Sequence, residues 1–174
     1  VCWFQLRTFK IIPLVFHALY KSHRVGNSPE LTDTLARVCI VFAELKLIKW
    51  GELYAAKAVK IAETLNSAPD LLYAITSTSY LKLQTGDPLA SEAIAKDLLI
   101  DRAKFLQTNH YMNLVGNTCY NLITRGRFHD AFEYAKLIIK KTENSSSELV
   151  RVHIYNAIVG VIHSILGFPT EAEH

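Results

Sequence analysis

Glycine and proline are scarce, at 7 and 5 of 174 residues, which excludes long irregular loops. Cysteine is scarcer still. Cys2, Cys39 and Cys119 form an odd set with no CxxC spacing, so neither a disulfide framework nor a zinc ribbon is expected. Cys39 and Cys119 fall within apolar helical patterns, as buried thiols of a reducing compartment do, and a cytoplasmic location is expected. No apolar run reaches the roughly 18 residues that span a bilayer. The nearest, IYNAIVGVIHSILGF, has 15 residues and includes Asn156 and His163, so no membrane association is expected. An excess of one charge is also missing, since the net charge of +3 is spread along the chain. Lys136, Lys140 and Lys141 are the densest basic cluster and suit a solvated helix end. The basic stripe and stacking aromatics of a nucleic-acid surface are not present, so direct nucleic-acid contact is not expected.

The motifs of common chemistries are missing as well. GxSxG, GxxxxGK[ST], GxGxxG and HExxH do not occur. His17 and His23 are six residues apart and His153 and His163 ten, so neither pair has the i, i+4 spacing of a zinc helix. Glu44, Asp97, Asp101 and Glu133 sit at helical positions near Lys or Arg, as on a solvated face. The sequon at Asn144 reads as a polar turn. The expectation is a protein without catalytic activity, metal or cofactor.

What the chain has is apolar residues, half of the total, in helical rather than alternating periodicity. Aligning on glycine brings out four related stretches: LIKWGELYAAKAVKIAETL at Gly51, LKLQTGDPLASEAIAKDLL at Gly86, LITRGRFHDAFEYAKLIIKK at Gly126 and HSILGFPTEAE at Gly167. The spacings are 35, 40 and 41 residues, which indicates an internal repeat. Ala56, Ala131 and Ala172 lie five residues after their glycines, and Ala93 takes that place in the Gly86 unit after an insertion that includes Pro88. Ser79, Cys119 and Gly160 lie seven residues before theirs, where the first unit has Glu44. The pattern predicts helical hairpins. Helix A ends at the glycine, which accepts a left-handed backbone, and helix B starts at once, with Pro88 and Pro169 just inside it. Matched small residues then let the two backbones approach, and Leu122, Phe128, Phe132 and Tyr134 fill the surrounding space.

The predicted A helices are 31–49, 70–85, 108–125 and 147–166, and the B helices 52–66, 88–106, 127–142 and one from 170. Repeats therefore cover about 31–66, 69–106, 108–143 and an incomplete 147–174, in one domain. Residues 1–25 supply a preceding helix or two, broken near Pro13. NSAPD and ENSSSE are the turns between repeats, with Asp70 and Ser147 as N-caps. The start VCWFQLRTFK has no initiator Met and no signal-peptide layout, and the end GFPTEAEH opens a helix without completing it. The chain reads as a segment of a longer protein.

Gly126, Phe128, Ala131 and the pair Tyr134–Ala135 resemble the turn and second helix of a tetratricopeptide (TPR) repeat, and the resemblance extends over about 31–174. Periods above the usual 34 or so make it similar to the longer repeats in the helical arms of bacterial signalling ATPases and LuxR-type transcription regulators, and in eukaryotic scaffolds. The resemblance implies an all-α, right-handed solenoid whose A helices line a concave binding face. It puts the inner positions about 13, 10, 6 and 3 residues before each glycine. These are Tyr73, Thr76 and Tyr80 in one unit, and Asn113, Gly116 and Tyr120 in the next. Tyrosine and asparagine suit a wet recognition groove. The same offsets in the first unit select apolar Val38, Val41, Leu45 and Ile48, which need cover from residues 1–24.

The implied function is protein or peptide binding within a larger regulatory or scaffolding protein. The alternative is the sensing arm of a bacterial transcription regulator that takes a small-molecule effector in its superhelix. Without a polar cap at the C-terminal end, self-association through exposed repeat ends is also expected.

Overall fold

The computed structural model describes residues 2–106 and 108–142, and among these every regular element is helical. The order is α1 (Cys2–Val25), α2 (Pro29–Glu44), α3 (Ile48–Thr64), α4 (Ala68–Gln84) and α5 (Pro88–Asp101), then a 3-10 turn at Ala103–Phe105, α6 (Thr108–Thr124) and α7 (Phe128–Thr142). Contacts group the chain into two units, Val1–Leu106 and Gln107–His174. In the first, each helix packs on the next and α2 also packs on α4; in the second, α6 pairs with α7. Packing between successive helices of this kind defines a helical repeat with a solenoid-like arrangement. The repeat expected over 147–174, with Ser147, Gly160, Gly167, Pro169 and Ala172, lies outside the described residues.

The helices are separated by a recurring three-residue turn. Lys46, Asn66, Gly86 and Gly126 hold left-handed backbones (φ 58°, 50°, 84° and 72°), and Gly26 after α1 does the same at 85°. At the first four, the next residue's N–H donates across the helix end: Leu47 to Phe42 O (2.9 Å), Ser67 to Ala62 O (3.2 Å), Asp87 to Lys82 O (3.0 Å) and Arg127 to Leu122 O (2.9 Å). This is the six-to-one closure of a Schellman motif, which satisfies carbonyls that a helix end otherwise leaves orphaned. Residues 26, 46, 66 and 86 are spaced by twenty, and 126 follows at twice that interval. The intervening position, Leu106, follows the 3-10 turn and lies at the end of the first unit.

This corrects the alignment read from glycines. Lys46, Gly86 and Gly126 are equivalent turn residues, so the hairpins repeat every forty residues and the spacing of 35 disappears. Gly51 is no helix terminator: α2 stops at Glu44, and Gly51 lies in the first turn of α3. Its equivalents are Ser91 and Ala131, each twelve residues after a small residue of the partner helix (Cys39, Ser79 and Cys119). The structure shows these pairs touching. Ser79 Oγ donates to Ser91 O (3.0 Å), and Cys119 Sγ to Ala131 O (3.4 Å). A Cβ on Gly51 would lie 3.6 Å from Cys39 O and only 2.8 Å from the Leu81 Cδ1 methyl, so a side chain there would disturb a packed leucine. The insertion inferred at Pro88 does not exist, and Ala56 and Ala93 are exposed rather than in the hairpin seam.

Two local expectations change for the same reason, that helix ends are set by caps and packing as well as by breakers. The α4 N-cap is Ser67, with Asp70 inside the first turn, where its charge favours the positive end of the helix dipole. The helix α1 runs through Pro13 unbroken. Proline costs about 3 kcal/mol within a helix, but this one is followed by a segment anchored on α2. Val15 and Leu19 pack with Leu31, Leu35 and Val38, and Ser22 and Thr34 hydroxyls share a 3.1 Å hydrogen bond. The cover required for Val38 is thus supplied by α1. The seam side of α3 is a stripe of small residues, Gly51, Ala55, Ala58 and Ala62, all buried, which admits α2 and α4 closely. Leu35, Leu72, Leu81 and Leu98 are fully enclosed in this unit, and Leu114 and Leu122 in the other. Each contributes about 2 kcal/mol of apolar burial.

Candidate binding surface

The forty-residue register relocates the positions expected to face a partner. In phase with Tyr73, Thr76 and Tyr80 of α4, the α2 residues are Asp33, Ala36 and Ile40, not the Val38, Val41, Leu45 and Ile48 chosen from Gly51. Of these Asp33 alone is charged, whereas Ala36 is fully buried and Ile40 is apolar and half-buried. Asp33 and Arg37, one turn apart, make two bonds, with Arg37 Nε at 2.7 Å and Nη2 at 3.2 Å from the carboxylate oxygens. That hydrogen bonding to Asp33 raises the guanidinium's pKa, against the effect of burial.

Tyr73 stands beside this pair but is only 8% exposed, within the core formed by α1, α2, α3 and α4. Burial pushes its hydroxyl up to about 12, and the nearby Arg37 charge acts in the opposite direction. Thr76 is also buried, and its hydroxyl donates back to Leu72 O at 2.9 Å. Both are thus packed where α4 meets its neighbours. Tyr80 is half-buried against Leu81, Cys39 and Ala43, and its hydroxyl accepts from Gln84 Nε2 at 3.1 Å. Lys46 Nζ reaches across from the first turn to Gln84 Oε1 (2.8 Å) and Gln84 O (3.3 Å). A continuous polar set therefore joins the α2–α3 turn to the last two turns of α4.

In the second unit, Asn113 and Tyr120 are exposed, Tyr120 by half its surface, and Gly116 is half-buried. Tyr120 occupies in α6 the place of Tyr80 in α4. The residues missed by the glycine-based reading are Asp33, Arg37, Lys46 and Gln84. The corrected phase brings in Asp33 alone; Arg37, Lys46 and Gln84 emerge only from the side-chain contacts.

Elsewhere in the first unit, α3 and α4 border an open groove of about 690 Å³, floored by Ala55, Val59, Thr78 and Leu81. The Glu52–Lys82 ion pair (3.7 Å) stands beside it. Among the described residues no three His, Cys, Asp or Glu side chains gather as a metal site would require, and no helix is long and apolar enough to cross a membrane. The chemistry offered by the α2–α4 surface is that of hydrogen bonding and ion pairing. Comparison with models of known protein families returns no match, and comparison with curated proteins returns none either.

Proposed function

We propose that this chain is a non-catalytic, TPR-like repeat region that binds a protein or peptide as part of a larger regulatory or scaffolding protein. The observation that carries this reading is the polar set on adjacent A helices. Asp33 and Arg37 on α2, and Tyr80 and Gln84 with Lys46 on α4 and its neighbouring turn, combine one bidentate ion pair with amide and phenol groups. Such groups can exchange their internal bonds for those of a peptide backbone at small net cost, because each is already held in a defined rotamer. Arg and Tyr are also the residue types on which interface energy concentrates. Asn113 and Tyr120 on α6 take the positions of Asp33 and Tyr80 and are exposed, which supports a recognition role for these two positions.

Selection from a phage-displayed peptide library against the intact chain tests the proposal. Peptides retained by the parent protein are expected to bind the Arg37→Ala, Tyr80→Ala double variant at least ~10-fold more weakly, about 1.4 kcal/mol. The Tyr120→Ala variant is expected to melt within about 0.5 kcal/mol of the parent. A library that yields no binder, or binders indifferent to Arg37 and Tyr80, overturns the reading.

A further inference from the structure

The repeat supplies its own internal control. Residues shared by equivalent positions build the hairpin, and departures from that pattern mark what one hairpin does alone. Three departures fall together at the start of α3. Leu47 occupies the position of Asp87 and Arg127, Trp50 that of Ala90 and Asp130, and Leu53 that of Ala93 and Glu133. All three leave much of their apolar surface in solvent, with Leu47, Trp50 and Leu53 45%, 54% and 43% exposed.

The cluster also costs the fold something. Leu47 is the N-cap of α3 and makes no side-chain cap bond, whereas Asp87 at the equivalent place accepts from Ala90 N at 3.1 Å. A missing cap typically costs about 1 kcal/mol. Apolar groups have thus been placed where the architecture favours a small or charged one.

The exposed residues rest on an aromatic base. Phe42 of α2 contacts Phe16 of α1 edge-on (6.0 Å between centroids), and it meets Trp50 at 6.2 Å and Tyr54 at 5.4 Å. Phe42 is buried while Phe16 is 41% exposed, so a floor of rings opens to solvent between α1 and α3. The rim is basic. Lys57 Nζ lies 5.3 Å from the Tyr54 ring centroid, and Lys49, next to Trp50 in the chain, is exposed. Glu52, the one acidic residue between positions 46 and 60, is drawn to Lys82.

We infer that this aromatic floor is a second docking surface, separate from the α2–α4 face, for an acidic segment of a partner protein that carries apolar anchors. Trp50 and Leu53 bury the anchors, and the lysines receive the flanking carboxylates. The inference does not depend on the α2–α4 proposal. Tryptophan is among the residue types on which binding energy concentrates, and the lysines select acidic over basic segments.

Trp50 reports on its own site. Trp3 is the only other tryptophan, so the full chain bearing Trp3→Phe isolates its emission. The probe is a synthetic helical peptide with leucine at i, i+3, i+4 and i+7 and Asp or Glu elsewhere. Its control carries lysine at every acidic position. The acidic peptide is expected to give a saturable blue shift whose affinity falls with added salt. Lys49→Glu with Lys57→Glu is expected to weaken it at least ~10-fold, while Tyr80→Ala leaves it unchanged. Equal binding of the lysine peptide overturns the inference, as does absence of a saturable shift. A shift seen with phosphatidylserine vesicles and not with the peptide would assign the surface to a membrane instead. A shift that follows protein concentration alone would assign it to self-association.

Discussion

Burial raises the Cys39 thiol from its ordinary 9.0 to about 12, and Cys119 by the same amount. Tyr73 rises from 10.0 to about 12, again through burial. All three are neutral when protonated, so the folded chain holds these protons more tightly than the unfolded one. Their contribution is complete below pH 9 and is lost as pH rises from about 9 through 12. Thermal melting is therefore expected to be level between pH 7 and 8.5 and to fall steadily above pH 9. Cys39→Ala should make that alkaline slope shallower, even though it lowers the starting stability. A melting temperature unchanged at pH 11 would show that these groups are not enclosed as described. The same enclosure predicts that Cys39 and Cys119 react with a thiol reagent only after denaturant is added.

Among the elements, α3 shows most directly how local rules compete. Its N-terminus has an uncapped leucine, with a backbone (φ −88°, ψ 62°) close to that of the capped Asp87 (φ −108°, ψ 70°). Leu47→Asp is thus expected to stabilise the chain by about 0.5 to 1 kcal/mol, through capping and attraction to the helix dipole. Denaturant midpoints measure this, and a loss would mean that Leu47 packs more than its exposure implies. The helices themselves were legible in the sequence because apolar spacing near 3.6 residues dictates which side is buried. The phase of the first hairpin was not. A left-handed turn residue need not be glycine, as Lys46 and Asn66 show, and a glycine need not be a turn, as Gly51 shows. Gly51 is small because Leu81 fills the space its side chain would take. That reason lies in tertiary contact, 30 residues away in the chain. The same cause displaced the candidate site. Tyr73 and Thr76 have the spacing of a displayed face, but α4 packs on α2, and that contact encloses them.

At the scale of the molecule, contacts within each unit are local: every helix packs on the next, and α2 also packs on α4. Structures of this type gain stability from each hairpin and from its nearest neighbours rather than from one central core. Their polar surfaces can then vary hairpin by hairpin without disturbing the frame. That freedom accounts for how one frame presents a charged pair on α2, a phenol and amide on α4, and a tryptophan on α3.

The regular turn has one more consequence. Because Lys46 and Gly86 end successive A helices in the same backbone state, the chain can be cut and rejoined between them. Deleting residues 47–86 joins α2 directly to α5, a B helix with small Ser91 and Ala95 at its seam. The shortened protein is expected to remain helical and to melt cooperatively by circular dichroism. Deleting 47–66 instead joins one A helix to another and should leave a protease-sensitive, poorly cooperative chain. Forty residues, not twenty, would then be the quantum in which this protein can lengthen or shorten.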